Sequence, residues 1–297
     1  MKSKYYLSAI TAYSVWGLFS LVLRPLKTFV PLDILYNRVA ACTVIIFLII
    51  VFFRKEQLRQ LKQKFASLSK KEKVKLVLWN IFMGLLLTGN WFLFIYVMNY
   101  ISVRATSLSY LVCPILTALL AAILLKEKLD TFQWCGIFLG ISGCGILSFG
   151  HFYDLMLSVL VALSYALYLI LQKKNAGFDP VLLLSFHFLI ALAALSPVAG
   201  FHLMEFHPTI FYILIVVIAV FFTVMPLWLN LFALKGLDSA TVGMLINVNP
   251  IIAFTLAILY FREKASVLEI VGYSVVFVSV IVFNLKAILG RRKTQTL

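Results

Sequence analysis

A chain of 297 residues that is 63% apolar and 12% charged has too little polar surface to stay dispersed in water, so a soluble globular domain is excluded. Its 26 Lys and Arg outweigh 11 Asp and Glu, and the net charge of +15 has to sit wherever the apolar runs leave the lipid. Four cysteines, Cys42, Cys113, Cys135 and Cys144, fall inside apolar runs with no CxxC pair and no metal-ligand spacing; they read as packing residues, and neither a metal nor a cofactor is expected.

The chain opens with Lys2 and Lys4 and an apolar run to Leu23. That charge suits a signal peptide, but the run is long, carries Trp16 and lacks a small-residue cleavage pattern, so it is expected to stay attached as a first span. Apolar stretches of about 17 to 23 residues, enough to cross about 30 Å of hydrocarbon as helix, recur ten times. Their limits are 5–23, 32–53, 76–97, 105–125, 131–149, 155–171, 181–201, 210–232, 240–261 and 267–288. The links are short and carry helix stops at Pro31, Asp130, Gly150, Asp179, Pro180, Pro208 and Gly236. The expected fold is all-α and integral to the membrane, with ten transmembrane helices and no soluble domain.

With both termini in the cytoplasm, the inner segments collect 20 Lys and Arg: Lys2, Lys4, nine between Arg54 and Lys75, Lys126, Lys128, Lys173, Lys174, Lys235, and four from Lys286 to Lys293. The outer segments hold five, Arg24, Lys27, Arg104, Arg262 and Lys264, and Arg38 alone falls within a span. This excess sets the expected orientation. The basic segment 54–75 spaces Leu58, Leu61, Phe65 and Leu68 along one helical face, suited to lie on the lipid surface and attract anionic headgroups. Nucleic-acid binding is the sharper reading of the same charges and is not favoured, because cytoplasmic membrane loops carry such runs as orientation signals.

Residues 114–128 read PILTALLAAILLKEK and residues 250–264 read PIIAFTLAILYFREK, identical at six of 15 positions. The match runs on to Gly136 and Gly272 at the same offset of 136. A second block aligns at an offset of 149, pairing Trp16 with Tyr165, Arg24 with Lys173, Pro31 with Pro180 and Arg38 with His187. The chain therefore reads as two five-span units, 1–149 and 150–290, followed by a cytoplasmic tail, 291–297. A unit with an odd number of spans enters the bilayer from opposite faces in its two copies, so the halves are expected to be inverted about an axis in the membrane plane. That symmetry serves a site exposed alternately to either side, which is what a transporter needs.

The segments AYSVWGLFSL (12–21), LDILYNRVA (32–40), GNWFLFIYVMN (89–99), TSLSYLVCPI (106–115), TVMPLWLNLFAL (223–234) and GMLINVNPI (243–251) resemble the EamA domains of the drug/metabolite transporter superfamily, in particular its RarD-like branch. The resemblance covers nearly the whole chain. It implies a bacterial inner-membrane protein with cytoplasmic termini and a central cavity lined by spans 1, 3, 4, 6, 8 and 9. It also implies export or exchange of amino acids or other small metabolites or drugs, in some relatives driven by an ion gradient. Asn37, before Arg38, departs from the histidine of the RarD pattern.

Several residues are candidates for the site. Pro114 and Pro250 sit at matching repeat positions and should free the carbonyls of Tyr110 and Ile246, as Pro226 should free that of Phe222; each is read as a hinge or as a static kink. Asn90, Asn230, Asn247 and Asn249 are amides that need partners in the membrane, either cargo or neighbouring helices. Trp16, Trp91, Tyr110, Tyr165, Tyr168 and Trp228 offer rings to stack on flat or apolar cargo, or simply to pack. Arg38 is suited to a substrate carboxylate, or else pairs with Asp33 or reaches the outer headgroups. His187 is the candidate proton site. Glu127, Glu263 and Glu269 lie at span ends beside cations, where surface pairing is the plain reading.

Three function classes follow. A secondary transporter uses the symmetry, with a small-molecule substrate, the lipid bilayer and, in a coupled cycle, a proton as partners; a homodimer is left open. A membrane group transferase would need convergent acid, base or metal residues, and neither HExxH nor a phosphate-cradling loop is present. A channel would want charged or carbonyl rings along a pore.

Overall fold

A computed structural model describes residues 3–100, 103–199, 206–260, 262 and 266–293. Among the described residues every regular element is helical. In chain order these are α1 (Ser3–Gly17), α2 (Ser20–Leu23), α3 (Pro31–Phe53), α4 (Lys55–Ser67), α5 (Lys70–Tyr100), α6 (Val103–Leu124) and α7 (Thr131–Leu147). The second half supplies α8 (Phe152–Gln172), α9 (Pro180–Ala199), α10 (Thr209–Ala219), α11 (Met225–Leu234), α12 (Ser239–Leu245), α13 (Val248–Leu259) and α14 (Val267–Lys293). Eight helical runs are long and apolar enough to cross a membrane, and Leu108–Leu124 and Thr131–Leu147 are shorter apolar helices. Large apolar side chains such as Phe47, Phe53, Phe138 and Ile123 remain exposed, as a lipid-facing surface requires.

Local structure recurs at the two repeat offsets. Short 3₁₀ turns occupy Arg24–Leu26 and Lys173–Asn175, 149 positions apart. Lys126 (φ 56°) and Arg262 (φ 54°), 136 apart, are the described non-glycine residues in the left-handed region. Each is followed by a capped helix. The Asp130 side chain accepts from Gln133 N–H while the Gln133 side chain accepts from Asp130 N–H, and Ser266 and Glu269 exchange the same pair of bonds. Glu269 thus caps its helix, and its expected pairing with Lys264 lies outside the described residues.

The helices pack closely where small residues let backbones approach, as lipid-embedded helices must without a hydrophobic drive between them. A Cβ on Gly136 would stand 2.7 Å from that of Phe283, and one on its repeat mate Gly272 would stand 2.5 Å from Leu147 Cγ, so α7 and α14 are locked face to face. Ion pairs join Arg54 with Asp179 (3.6 Å) and Lys286 with Asp130 (3.5 Å), and the His207 ring lies 3.8 Å from the Asp33 carboxylate.

The halves are not identical in shape. α6 runs unbroken through Pro114, whereas its partner segment breaks at Ile246 and Asn247 between α12 and α13. The Ile246 carbonyl expected to be freed by Pro250 instead accepts the Asn249 N–H at 3.0 Å, so Pro250 begins a new helix rather than kinking one. α5 likewise runs straight, while its partner carries a π turn at Val220–Val224 just before Pro226. On the basic segment, α4 lays Leu58, Leu61 and Phe65 on its less exposed face, and Leu68 caps it in extended conformation.

Candidate functional site

Three helices meet at Asn230, fully buried on α11. Tyr13 on α1 donates its hydroxyl to Asn230 Oδ1 at 2.8 Å, and Asn230 Nδ2 donates to the Tyr165 hydroxyl on α8 at 3.2 Å. One amide from the second half therefore ties together tyrosines from both halves. Tyr165 accepts here, so its own O–H proton has no acceptor among the described residues. Trp16, edge-on to Tyr165 at 6.3 Å, donates its indole N–H to the Phe222 carbonyl at 2.8 Å. That is the carbonyl left open by Pro226, and Trp16 closes it across the repeat boundary.

Arg38 projects from α3, within the span by about 10 Å of helical rise. It forms no ion pair or hydrogen bond among the described residues, and it does not pair with Asp33, whose carboxylate faces His207. Its guanidinium lies over the Trp91 ring, 5.1 Å from the centroid, and its buried Nε lacks a hydrogen-bond partner. Trp91 in turn stacks on Phe188 at 5.7 Å, which holds the ring as a platform. Tyr110 keeps 36% of its surface accessible and packs its ring against Phe94 at 5.4 Å. Asn90, next to Trp91 on α5, is committed to helix contact: its Nδ2 donates to Val161 O at 3.1 Å and Ser164 Oγ at 2.9 Å.

From Tyr165 a polar seam leads toward the end of α8. Tyr168 stacks on Tyr165 at 6.0 Å and stands edge-on to His187 at 5.9 Å. His187 is fully buried, its ring nitrogens 3.3 and 3.4 Å from Gln172 Nε2. Asn175 continues the seam, donating to Gln172 Oε1 at 2.9 Å and Asn80 Oδ1 at 3.1 Å. No carboxylate reaches His187 among the described residues.

Of the expected site residues, Trp16, Arg38, Asn90, Trp91, Tyr110, Tyr165, Tyr168, His187 and Asn230 thus fall into one connected region. Trp228 does not join it and stacks on Phe232 at 6.1 Å. Asn247 points its amide at Met244 Sδ, 3.8 Å away, and Asn249 is buried at the contact of α13 with Gly17. Pro114, Pro226 and Pro250 flank the region on α6, α11 and α13. Glu263 lies outside the described residues, and Glu127 is not a surface partner: it accepts two backbone N–H groups of the second half. Tyr13, Gln172, Asn175 and Asn80 do not stand out in the sequence. For Tyr13 the spacing to Trp16, one helical turn apart, is the available signal. A crevice of about 480 Å³ lined by Lys71, Val74, Lys75, Leu78, Trp79 and Phe82 shares no residue with the region.

A family model described as the EamA-like transporter family matches residues 3–149 and 153–285. The chain belongs to that family. The two matched blocks abut near residue 150, where the repeat offset restarts. The chain is 26% identical over 297 residues to the "Uncharacterized transporter YojE" of Bacillus subtilis (strain 168), covering 96% of this chain and 95% of that one. It is 28% identical over 308 residues to Protein RarD of Escherichia coli (strain K12), covering 97% and 96%. A solved crystal structure superposes with a TM-score of 0.73 at 14% identity, covering 96% of this chain and 99% of its own, which shows the fold alone. The protein is a multi-span membrane protein of the EamA-like transporter family.

Proposed function

We propose that the chain is a secondary transporter that exports or exchanges amino acids or comparable small metabolites by alternating access around the Arg38–Tyr165–Asn230 region. The observation that carries this reading is Arg38: an intramembrane cation with no anion or hydrogen-bond acceptor among the described residues, its guanidinium over the Trp91 ring. Intramembrane charge is costly, and an orphan guanidinium that presents a planar fork of donors suits a carboxylate supplied by cargo. The unspent Tyr165 O–H and the accessible face of Tyr110 suit the polar and apolar parts of the same molecule.

The inverted halves, both termini in the cytoplasm of a bacterial inner membrane, supply the mechanism. Related segments take different shapes, straight α6 against broken α12 and α13, and an exchange of those shapes reverses which side the site faces. A proton-coupled cycle would use His187, whose only polar contact among the described residues is the Gln172 amide. Purified protein in proteoliposomes, offered radiolabelled amino acids, their esters and amines with and without a pH gradient, tests the proposal. Saturable flux of carboxylated cargo is expected; flux of none, or equal flux of acid and ester, would contradict it.

A further inference from the structure

Away from the transport site, two charged side chains converge on one turn. α11 ends at Leu234 and α12 begins at Ser239, leaving bare carbonyls on one side of the turn and bare N–H groups on the other. Lys173, which opens the 3₁₀ turn after α8, donates its ammonium to Leu234 O at 2.7 Å and also to Leu237 O. Glu127, just past α6, accepts Ser239 N–H at 2.9 Å on one carboxylate oxygen and Ala240 N–H at 3.1 Å on the other. A cation at a helix C-terminus and an anion at a helix N-terminus both match the backbone dipoles they meet.

The aim of Glu127 is built into the backbone. Leu125 N–H and Glu127 N–H both bond to Ala121 O (3.1 and 3.2 Å), so α6 ends in a turn that passes through Lys126 in the left-handed region. A lysine there costs about 1 kcal/mol relative to glycine, so the turn is held by what surrounds it. The Tyr5 ring closes the clamp from α1: a Cβ on Gly236 would stand 2.0 Å from Tyr5 Cδ2. Helices α1, α6 and α8 thereby grip the single turn joining α11, which carries Asn230, to α12.

We propose that Glu127 and Lys173 form the cytoplasmic latch of the transport cycle. Their bonds hold the α11–α12 turn against α6 and α8 while the inner side is shut, and they break when that side opens, releasing the helix that carries Asn230. The latch rests on the alternating-access reading above. A permanent cap would look the same in one structure, so the test must read accessibility and not stability.

Thr241, buried in the first turn of α12 behind the latch, is a suitable reporter. In a chain with Cys135 replaced by serine, Thr241→Cys is labelled with a membrane-impermeant maleimide in inside-out vesicles. Lys173→Ala and Glu127→Ala, tested singly, each remove two charge-assisted hydrogen bonds and are expected to raise the labelling rate at least tenfold, roughly the worth of one such bond. Lys173→Arg, which can still donate to both carbonyls, is expected to keep it slow. A rate unchanged in both alanine variants, with elution volume and melting temperature like the parent's, overturns the latch. So does a rise in the arginine variant equal to that in the alanine variant. Vesicle flux is measured in parallel: normal flux with unchanged labelling sinks the latch alone, whereas absent flux in the parent sinks the transport reading and with it the latch's place in a cycle, even if the labelling responds.

Discussion

Asn230 and Arg38 expose the account at the level of single atoms. Asn230→Ala leaves the Tyr13 hydroxyl buried without its acceptor and releases Tyr165, so melting in detergent should show a loss of about 1 kcal/mol. Tyr13→Phe should cost less, since only the Asn230 oxygen is stranded, and both should slow flux. Arg38→Ala is expected to raise KM for carboxylated cargo at least about tenfold while sparing the corresponding esters. Arg38→Lys should recover only part of that loss, because an ammonium cannot lie flat on Trp91 with a planar fork of donors. Flux titrations of acid and ester pairs check both. The candidate residues are legible by type: a lone arginine and a few amides among apolar runs stand out because each must be partnered. Which amides face cargo is not legible, because Asn90 and Asn230 differ only in which neighbour fills the hydrogen-bonding distance.

Close helix approach through glycine gives a sharper contrast among elements. A Cβ on Gly243 would lie 2.3 Å from Thr117 Cγ2, where α12 crosses α6, while one on Gly145 meets nothing within 4 Å. Gly243→Ala should therefore cost about 1 to 3 kcal/mol from overpacking, and Gly145→Ala should stay within about 0.5 kcal/mol of the parent, as thermal melting in one detergent would show. Equal melting temperatures would mean that the α6–α12 contact is not as tight as described. The long helices are readable from apolar run length and from stops such as Asp130 and Pro180, because the bilayer imposes both. The break between α12 and α13 and the π turn preceding Pro226 are not. Such distortions depend on tertiary partners, such as Trp16 reaching the Phe222 carbonyl, that leave no periodic trace. The left-handed turn at Lys126 is hidden for a simpler reason: local preference would put glycine there.

Taken as a whole, the molecule is an exercise in reuse: one family unit occurs twice, over residues 3–149 and 153–285. The repeat is legible in the residues themselves because its markers, a proline, a charged triplet and a glycine, are ones that backbone geometry does not easily exchange. The same offsets govern the 3₁₀ turns at Arg24 and Lys173 and the left-handed residues Lys126 and Arg262. What no offset could reveal is how far the two copies have parted in shape, the divergence on which the proposed alternating access relies. The inversion is the claim on which the transport cycle, the site and the latch all depend, and topology tests it directly. In a background without other reactive cysteines, Gly177→Cys and Ser266→Cys, both exposed, are probed with an impermeant maleimide on right-side-out and inside-out vesicles. Gly177→Cys should react only from the cytoplasmic face and Ser266→Cys only from the opposite one; reaction of both from the same face would contradict the inverted arrangement.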